Sequence, residues 1–555
     1  MALGAILLSQ GLISDEQLAH AESERKRSGE RLEQALARLG IASSEQTMRA
    51  LAQELALPFV RLDETDIDDS AVELVPPRLV FRLRALPFSR SNGRLLVATS
   101  DPLRLDGFEQ ICVAAGMPIS LVVVDDIDLG VQIRTRFGVA GDVLEALGAG
   151  NDSSADSRVE SAESEDASEA SVVRLVNDLL VEAIRERATD IHIEPYEHEL
   201  QVRYRIDGVM SEAGVPATIH RFRHAITSRL KIMANLNISE KRRPQDGRIT
   251  FRQKGQEFDL RLSVIPMLHG EGVVLRILSK SAALAGLDEL GMPPSILAPW
   301  CELVANPHGI VLVTGPTGSG KSTTLYASLT RIVTGEVKAI TVEDPVEYHV
   351  PGVNQIQVNH AVGLDFATGL RAILRHDPDI IMIGEIRDAE TANAAVQASL
   401  TGHLVLSTLH TNDAATAATR LLDMGIEPFL VASTVEGVLA QRLLRRVCRE
   451  CSVARPPHAG EVPPDFVLAQ DGLVAEAVGC RACRGSGYRG RIGCYELLVV
   501  DESVRSEIMK RTSSAAISAA AKASNRLTSL RDSAAELVAA RMTTAAEALG
   551  SVKAS

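Results

Sequence analysis

"GPTGSGKSTT", residues 315–324, decides the fold of the second half of this chain. Gly315 to Ser322 fits the pattern G-x-x-x-x-G-K-[ST] at every fixed position. Its glycines free backbone N–H groups to turn inward on phosphate oxygens, and a following helix adds the positive end of its dipole. The flanks suit that role: "GIVLVTG" before it reads as a buried strand and "KSTTLYASLTRIV" after it as a helix. The expected nucleotide contacts are Gly315, Pro316, Thr317, Gly318, Ser319, Gly320, Lys321, Ser322 and Thr323. Lys321 is expected on the β- and γ-phosphates and Ser322 on a Mg²⁺ ion.

Three further apolar runs, "AITVEDP", "DIIMIGE" and "HLVLSTL", end in polar residues, as buried parallel strands do. Alternating with helical stretches from about Pro299, they predict an α/β domain, residues 286–555, with ligands at the carboxyl ends of its strands. Those ends place Glu343, Glu347 and Glu385 as catalytic candidates beside Lys321, and His403 and His410, on either side of the apolar run "LVLSTL", join them. Hydrolysis needs a carboxylate to orient or deprotonate water, which points first to Glu347 and Glu385. Glu385 ends its strand where a Walker-B acid belongs, although Gly384 occupies the preceding place.

The 555 residues predict several domains, and a net charge of −14 argues against a general nucleic-acid binder. No uninterrupted apolar run reaches membrane-spanning length, and the start lacks the basic region of a signal peptide. From Asn151 to Ala170 there are seven acidic residues and six serines, so 146–170 reads as a charged linker. Residues 171–285 read as a second α+β domain: a helix, then strands such as "LQVRYRIDGVM" and "FDLRLSVIP", rich in arginine. In the N-terminal module, 1–145, "LGAILLSQGLISDEQL" from Leu3 repeats as "LEQALARLGIASSEQT" from Leu32. Each copy (1–60 in all) reads as a helix, a Gly turn and a Ser-capped helix, followed by a small α+β part, 61–145.

"CREC" at 448–451 and "CRAC" at 480–483 form C-x₂-C…C-x₂-C with 28 residues between the pairs. Four sulfurs without histidine point to structural zinc on Cys448, Cys451, Cys480 and Cys483, in a subdomain at about 446–490. A redox pair and an iron–sulfur cluster are the alternatives. A helical region is expected over 491–555.

"GPTGSGKSTT", "VEDPVEY", "IGEIRD" and "TGHLVLSTLHTNDA", with "ATDIHIEP", "RYRIDG", "RRPQDGR" and "GEGVVLRIL" upstream, resemble the motifs of the secretion-superfamily ATPases of the GspE/PilB class. The resemblance implies a RecA-like motor behind an α+β (PAS-like) domain, working as a homo-hexamer that hydrolyses Mg²⁺-ATP. It also implies phosphate contacts from Arg261 and Arg276, with Arg371 and Arg375 as similar candidates on the motor. The tetracysteine insertion and long N-terminal module make the chain look more like a type II secretion motor driving pseudopilus assembly; a type IV pilus-assembly motor is the alternative. A nucleotide-binding regulator or a DNA-uptake motor is a more distant reading.

By the same resemblance the protein is cytoplasmic and peripheral to the inner membrane. It would be recruited there by a GspL-like partner's cytoplasmic domain and a polytopic GspF-like platform protein, without direct contact to nucleic acid. Some members bind cyclic di-GMP through the N-terminal repeat. Here Ala2 replaces an expected arginine, Glu33 a glycine and Glu54 a glutamine, while Arg31 is kept, so the repeat is read as a docking module.

Overall fold

A computed structural model describes residues 3–28, 32–102, 107–137, 162–253, 255–279, 286–480 and 482–552. The chain divides into two compact units, Met1–Ser279 and Lys280–Ser555.

In the first unit the sequence repeat is a structural repeat. Helices Leu3–Ser9 and Asp15–Ser28 form one copy, Leu32–Arg38 and Ser44–Glu54 the other. Both copies turn in the same way. Leu12 N–H bonds to the Leu7 carbonyl and Ile41 N–H to the Leu36 carbonyl, each at 3.0 Å, around Gly11 and Gly40 at φ +66° and +69°. Ser14 pairs reciprocally with Gln17, and Ser43 with Gln46, so each second helix starts on a capping box. A three-stranded sheet follows, Ala85–Ser91, Arg94–Thr99 and Ile119–Val123. Ala2 and Arg31, on which the cyclic di-GMP expectation turns, lie outside the described residues.

The expected linker is shorter than the composition implies. Helix Ala162–Arg185 begins inside the Ser/Asp/Glu stretch, so 162–170 are helical; residues 146–161 lie outside the described residues. Once Val172, Leu175, Val176 and Leu179 nucleate the helix on the sheet, each added residue gains a hydrogen bond at little cost. Beyond this helix, six antiparallel strands run in the order Val209–Glu212, Leu200–Ile206, Asp190–Pro195, Gly270–Ser279, Gln256–Met267, Gln245–Gln253. One face packs Leu260, Leu262, Val273 and Leu275 under the helices. On the other, Arg205, Asp190, Arg276, Arg261 and Arg248 are successive cross-strand partners, forming one line.

The second unit is built on an eight-stranded sheet. Its order is Val353–Gln357, Ala339–Glu343, Ile380–Ile383, Leu404–Leu409, Gly309–Thr314, Val435–Val447, Tyr488–Val499, Leu527–Thr528. The first six strands are parallel and the last two antiparallel to their neighbours. Both faces are covered, as continuous apolar strands require. Ile310 and Leu312 pack with Phe366, Leu370 and Ala392; Val311 and Val313 pack with Leu325, Tyr326 and Trp300. The C-terminal helices begin at Glu502, later than expected from the sequence. Residues 491–499 belong instead to strand Tyr488–Val499, whose "CYELLV" is buried in the sheet except for half-exposed Val499. No described helix is long and apolar enough to cross a membrane.

Candidate nucleotide site and metal centre

The loop from Gly315 joins the carboxyl end of strand Gly309–Thr314 to helix Lys321–Ile332. Gly315 sits at φ +146°, and a Cβ there would lie 2.4 Å from the Gln441 carbonyl oxygen, so only glycine lets the loop pass. Gly318 and Gly320 also have positive φ, +79° and +90°. Lys321 Nζ folds onto the loop, donating to the Gly315 carbonyl at 2.8 Å and the Pro316 carbonyl at 3.2 Å. Burial holds this ammonium below the usual lysine range; Glu385 opposes that shift and Arg442 adds to it. Thr314 anchors the loop from beneath, its hydroxyl 2.8 Å from that of Thr411 and accepting the Thr411 N–H at 2.9 Å.

Glu385 leaves the end of strand Ile380–Ile383, two strands from the loop. Its side chain is 12% exposed and pairs with Arg387 and with His410 Nε2, the latter at 3.2 Å. Gly384 brings this strand end against its neighbour: a Cβ there would meet Phe366 at 3.3 Å and the Glu343 backbone at 3.4 Å. Glu385, His410 and Lys321 therefore gather at the carboxyl edge, as the sequence implied.

Two candidates depart from that arrangement. His403 precedes strand Leu404–Leu409 while His410 follows it, which separates them by on the order of 20 Å. His403 Nδ1 lies 2.8 Å from the Ala398 carbonyl and 3.0 Å from the Thr401 hydroxyl, closing the turn at the far end of the sheet. The spacing of the two histidines fits opposite ends of one strand, so His403 does not share the carboxyl edge with the loop. Glu343 is at the right end but 4% exposed, and accepts from Tyr326, from Thr341 at 2.5 Å and from Gln355 at 3.1 Å. It is an anchor within the wall, not a carboxylate facing solvent.

Glu347 lies just beyond on the loop 344–350, half-buried. Arg371 and Arg375 are on the surface of the second unit: Arg371 bridges to Glu390 at 2.7 Å, and Arg375 donates to the Arg371 carbonyl at 2.8 Å. Arg261 and Arg276 lie in the arginine line of the six-stranded sheet, where they border a hollow of about 480 Å³ with Asp190, Asp246, Arg248 and Ser263. Arg276 Nε reaches Asp190 at 3.2 Å.

Sequence reasoning missed Arg442 and Gln441. Both lie on strand Val435–Val447, adjacent to the loop strand. Gln441 is buried and accepts from Thr324 at 2.8 Å; Arg442 donates to the Asn412 carbonyl at 2.8 Å. Burial holds the Arg442 guanidinium below its ordinary range. No short motif marks them, because their link to the loop is made by strand order.

The four cysteines converge. Their sulfurs lie within 4.8 Å of one another, with Cys448–Cys480 at 3.8 Å, Cys451–Cys483 at 3.7 Å and Cys480–Cys483 at 3.8 Å. Zn–S bonds of about 2.3 Å in a tetrahedron give an edge of about 3.8 Å, whereas a disulfide needs about 2.05 Å. Backbone N–H groups of Cys480 and Gly487 donate to Cys483 Sγ at 3.0 and 3.2 Å, a setting that stabilises thiolate. The donor set fits structural zinc.

Residues 165–550 match the profile of the type II/IV secretion system protein family. The chain belongs to that family. Residues 55–139 match the MshEN domain. The type IV pilus assembly ATPase PilB of Myxococcus xanthus is 42% identical over 92% of each chain. The type II secretion system protein E of Xanthomonas campestris is 41% identical over 95% of this chain and 94% of its own. The ATPase DotB of Legionella pneumophila shares the fold, with TM-score 0.51 and 22% identity over 68% of this chain and 94% of that one. The PilB relative is named as an ATPase, and the glycine–lysine loop with Lys321 is the kind of nucleotide site such an activity needs.

Proposed function

We propose that this protein is the hexameric ATP-hydrolysing motor of a type II secretion system, driving pseudopilus assembly at the inner membrane. The observation that carries the catalytic part is the convergence of Glu385, His410 and Lys321 at one sheet edge. In this reading Lys321 and the loop N–H groups hold the β- and γ-phosphates, and Ser322 holds Mg²⁺, which when bound offsets charge on those phosphates. Glu385 and Glu347 orient the attacking water and accept its proton, and His410 fixes the Glu385 carboxylate. Arg261 and Arg276 contribute phosphate contacts, which accords with a sheet face that concentrates guanidinium groups. The tetracysteine centre ties off the excursion between strands Val435–Val447 and Tyr488–Val499. The N-terminal module docks on a GspL-like membrane-anchored partner and the motor works on a GspF-like platform, which places a cytoplasmic protein at the membrane.

Pilus assembly is the second reading, supported by the similarity to the pilus-assembly ATPase over 92% of each chain. A host strain carrying Lys321→Ala separates the two. Loss of exported proteins with surface pilin intact supports the secretion reading; the reverse pattern supports pilus assembly. Normal export and normal pili would sink both.

A further inference from the structure

Glu347, to which the proposed function gives a catalytic role, lies on a loop, 344–350, that has no helix or strand to hold it. Its place is set by what its backbone is tied to. The Glu347 N–H donates to the Tyr326 hydroxyl at 3.3 Å. The next carbonyl, of Tyr348, accepts from Gln355 Nε2 at 3.1 Å, and the Val350 N–H donates to Gln355 Oε1 at 2.9 Å. Tyr326 and Gln355 in turn both donate to the buried carboxylate of Glu343, one to each oxygen. Three backbone groups of the loop thus hang on two side chains that share one anchor.

Tyr326 belongs to the helix that starts at Lys321. Its ring meets that of Tyr348 edge-on, with centroids 4.8 Å apart, and the Tyr348 hydroxyl lies 3.4 Å from that of Thr323 on the same helix. The helix that receives phosphate and the loop that carries Glu347 are joined at two points. We propose that Tyr326 is a positioning residue for hydrolysis, fixing Glu347 relative to the phosphate held at Lys321, with Glu343 as its anchor. This rests on the reading of Glu347 given above.

The Tyr326 hydroxyl donates to a carboxylate and accepts an N–H, so phenylalanine removes both bonds while keeping the ring packing. Burial, with Glu343 adding to it, holds this phenol well above the usual tyrosine range, so the donor persists through ordinary pH. The full chain is assayed as wild type, Tyr326→Phe, Glu347→Gln and the double variant, for kcat and KM with Mg²⁺-ATP and for Kd with a fluorescent ATP analogue. Tyr326→Phe is expected to lower kcat about tenfold with Kd within about twofold, since a misplaced catalytic group costs turnover rather than ground-state binding. In the double variant the tyrosine change adds nothing to Glu347→Gln, because the two act as one unit. Gln355→Leu, which cuts the same loop from its other side, carries the test if Tyr326→Phe does not fold. The inference is overturned if kcat stays within about twofold, if the loss appears in Kd instead, or if the two effects multiply. Near-normal turnover in Glu347→Gln removes the Glu347 reading and this inference together; a crippled Glu347→Gln beside a normal Tyr326→Phe removes this inference alone.

Discussion

Replacing Cys451 and Cys483 with serine leaves two thiols at a centre built for four. The expected loss of stability follows from chain topology. Cys448 and Cys480 are 32 residues apart, as are Cys451 and Cys483, so one ion closes a 32-residue loop. Treated as a cross-link, closing such a loop is worth roughly 4 kcal/mol of unfolded-state entropy. For a unit of this size that converts to a fall in Tm of roughly 8–16 °C. The loop leaves strand Val435–Val447 and returns in strand Tyr488–Val499, which pair with each other inside the eight-stranded sheet, so the loss is felt in the core of the second unit. Elemental analysis should find one zinc per chain in the wild type and none in the double variant, and a thermal melt should give the shift. A folded wild type without stoichiometric zinc, or a double variant melting within about 2 °C of it, would refute the cross-link reasoning.

The remaining expectations concern the nucleotide site. Glu385→Gln should cut kcat by about 10²–10⁴ while the protein still binds a fluorescent ATP analogue; brisk turnover would shift the base elsewhere. His410→Ala should lower kcat about tenfold or more, whereas His403→Ala should leave kcat unchanged and lower unfolding free energy by about 1 kcal/mol; equal kinetic losses would contradict their placement at opposite strand ends. Gly315→Ala should abolish analogue binding in a folded chain, since its Cβ would lie 2.4 Å from a backbone oxygen; retained affinity would show that the loop relaxes.

Much of this was legible because the relevant signals are local. The glycine–lysine loop, the strands that end at its level and the cysteine pairs all announce themselves over a few residues. The repeat was legible too, since Ser14/Gln17 and Ser43/Gln46 are capping chemistry written in four letters. What failed depended on neighbours distant in sequence. His403 and His410 flank one apolar run, and only the direction of the strand says which of them is at the site. Glu343 looks like a free acid until Tyr326, Thr341 and Gln355 close around it. Arg442 matters because strand Val435–Val447 happens to lie beside the loop strand. The helical start at Ala162 was hidden by composition, which reports the solvent preference of a segment but not the helix it continues.

A line of five cross-strand partners runs across the six-stranded sheet. Arg248 faces Arg261, and Arg261 faces Arg276, so like charges oppose each other at two successive pairings where a sheet optimised for its own stability would alternate signs. Asp190 is the one carboxylate in that row. Like charges placed opposite one another in a sheet cost stability, and dissolved salt screens exposed charges, so thermal melting of this sheet is expected to depend on ionic strength.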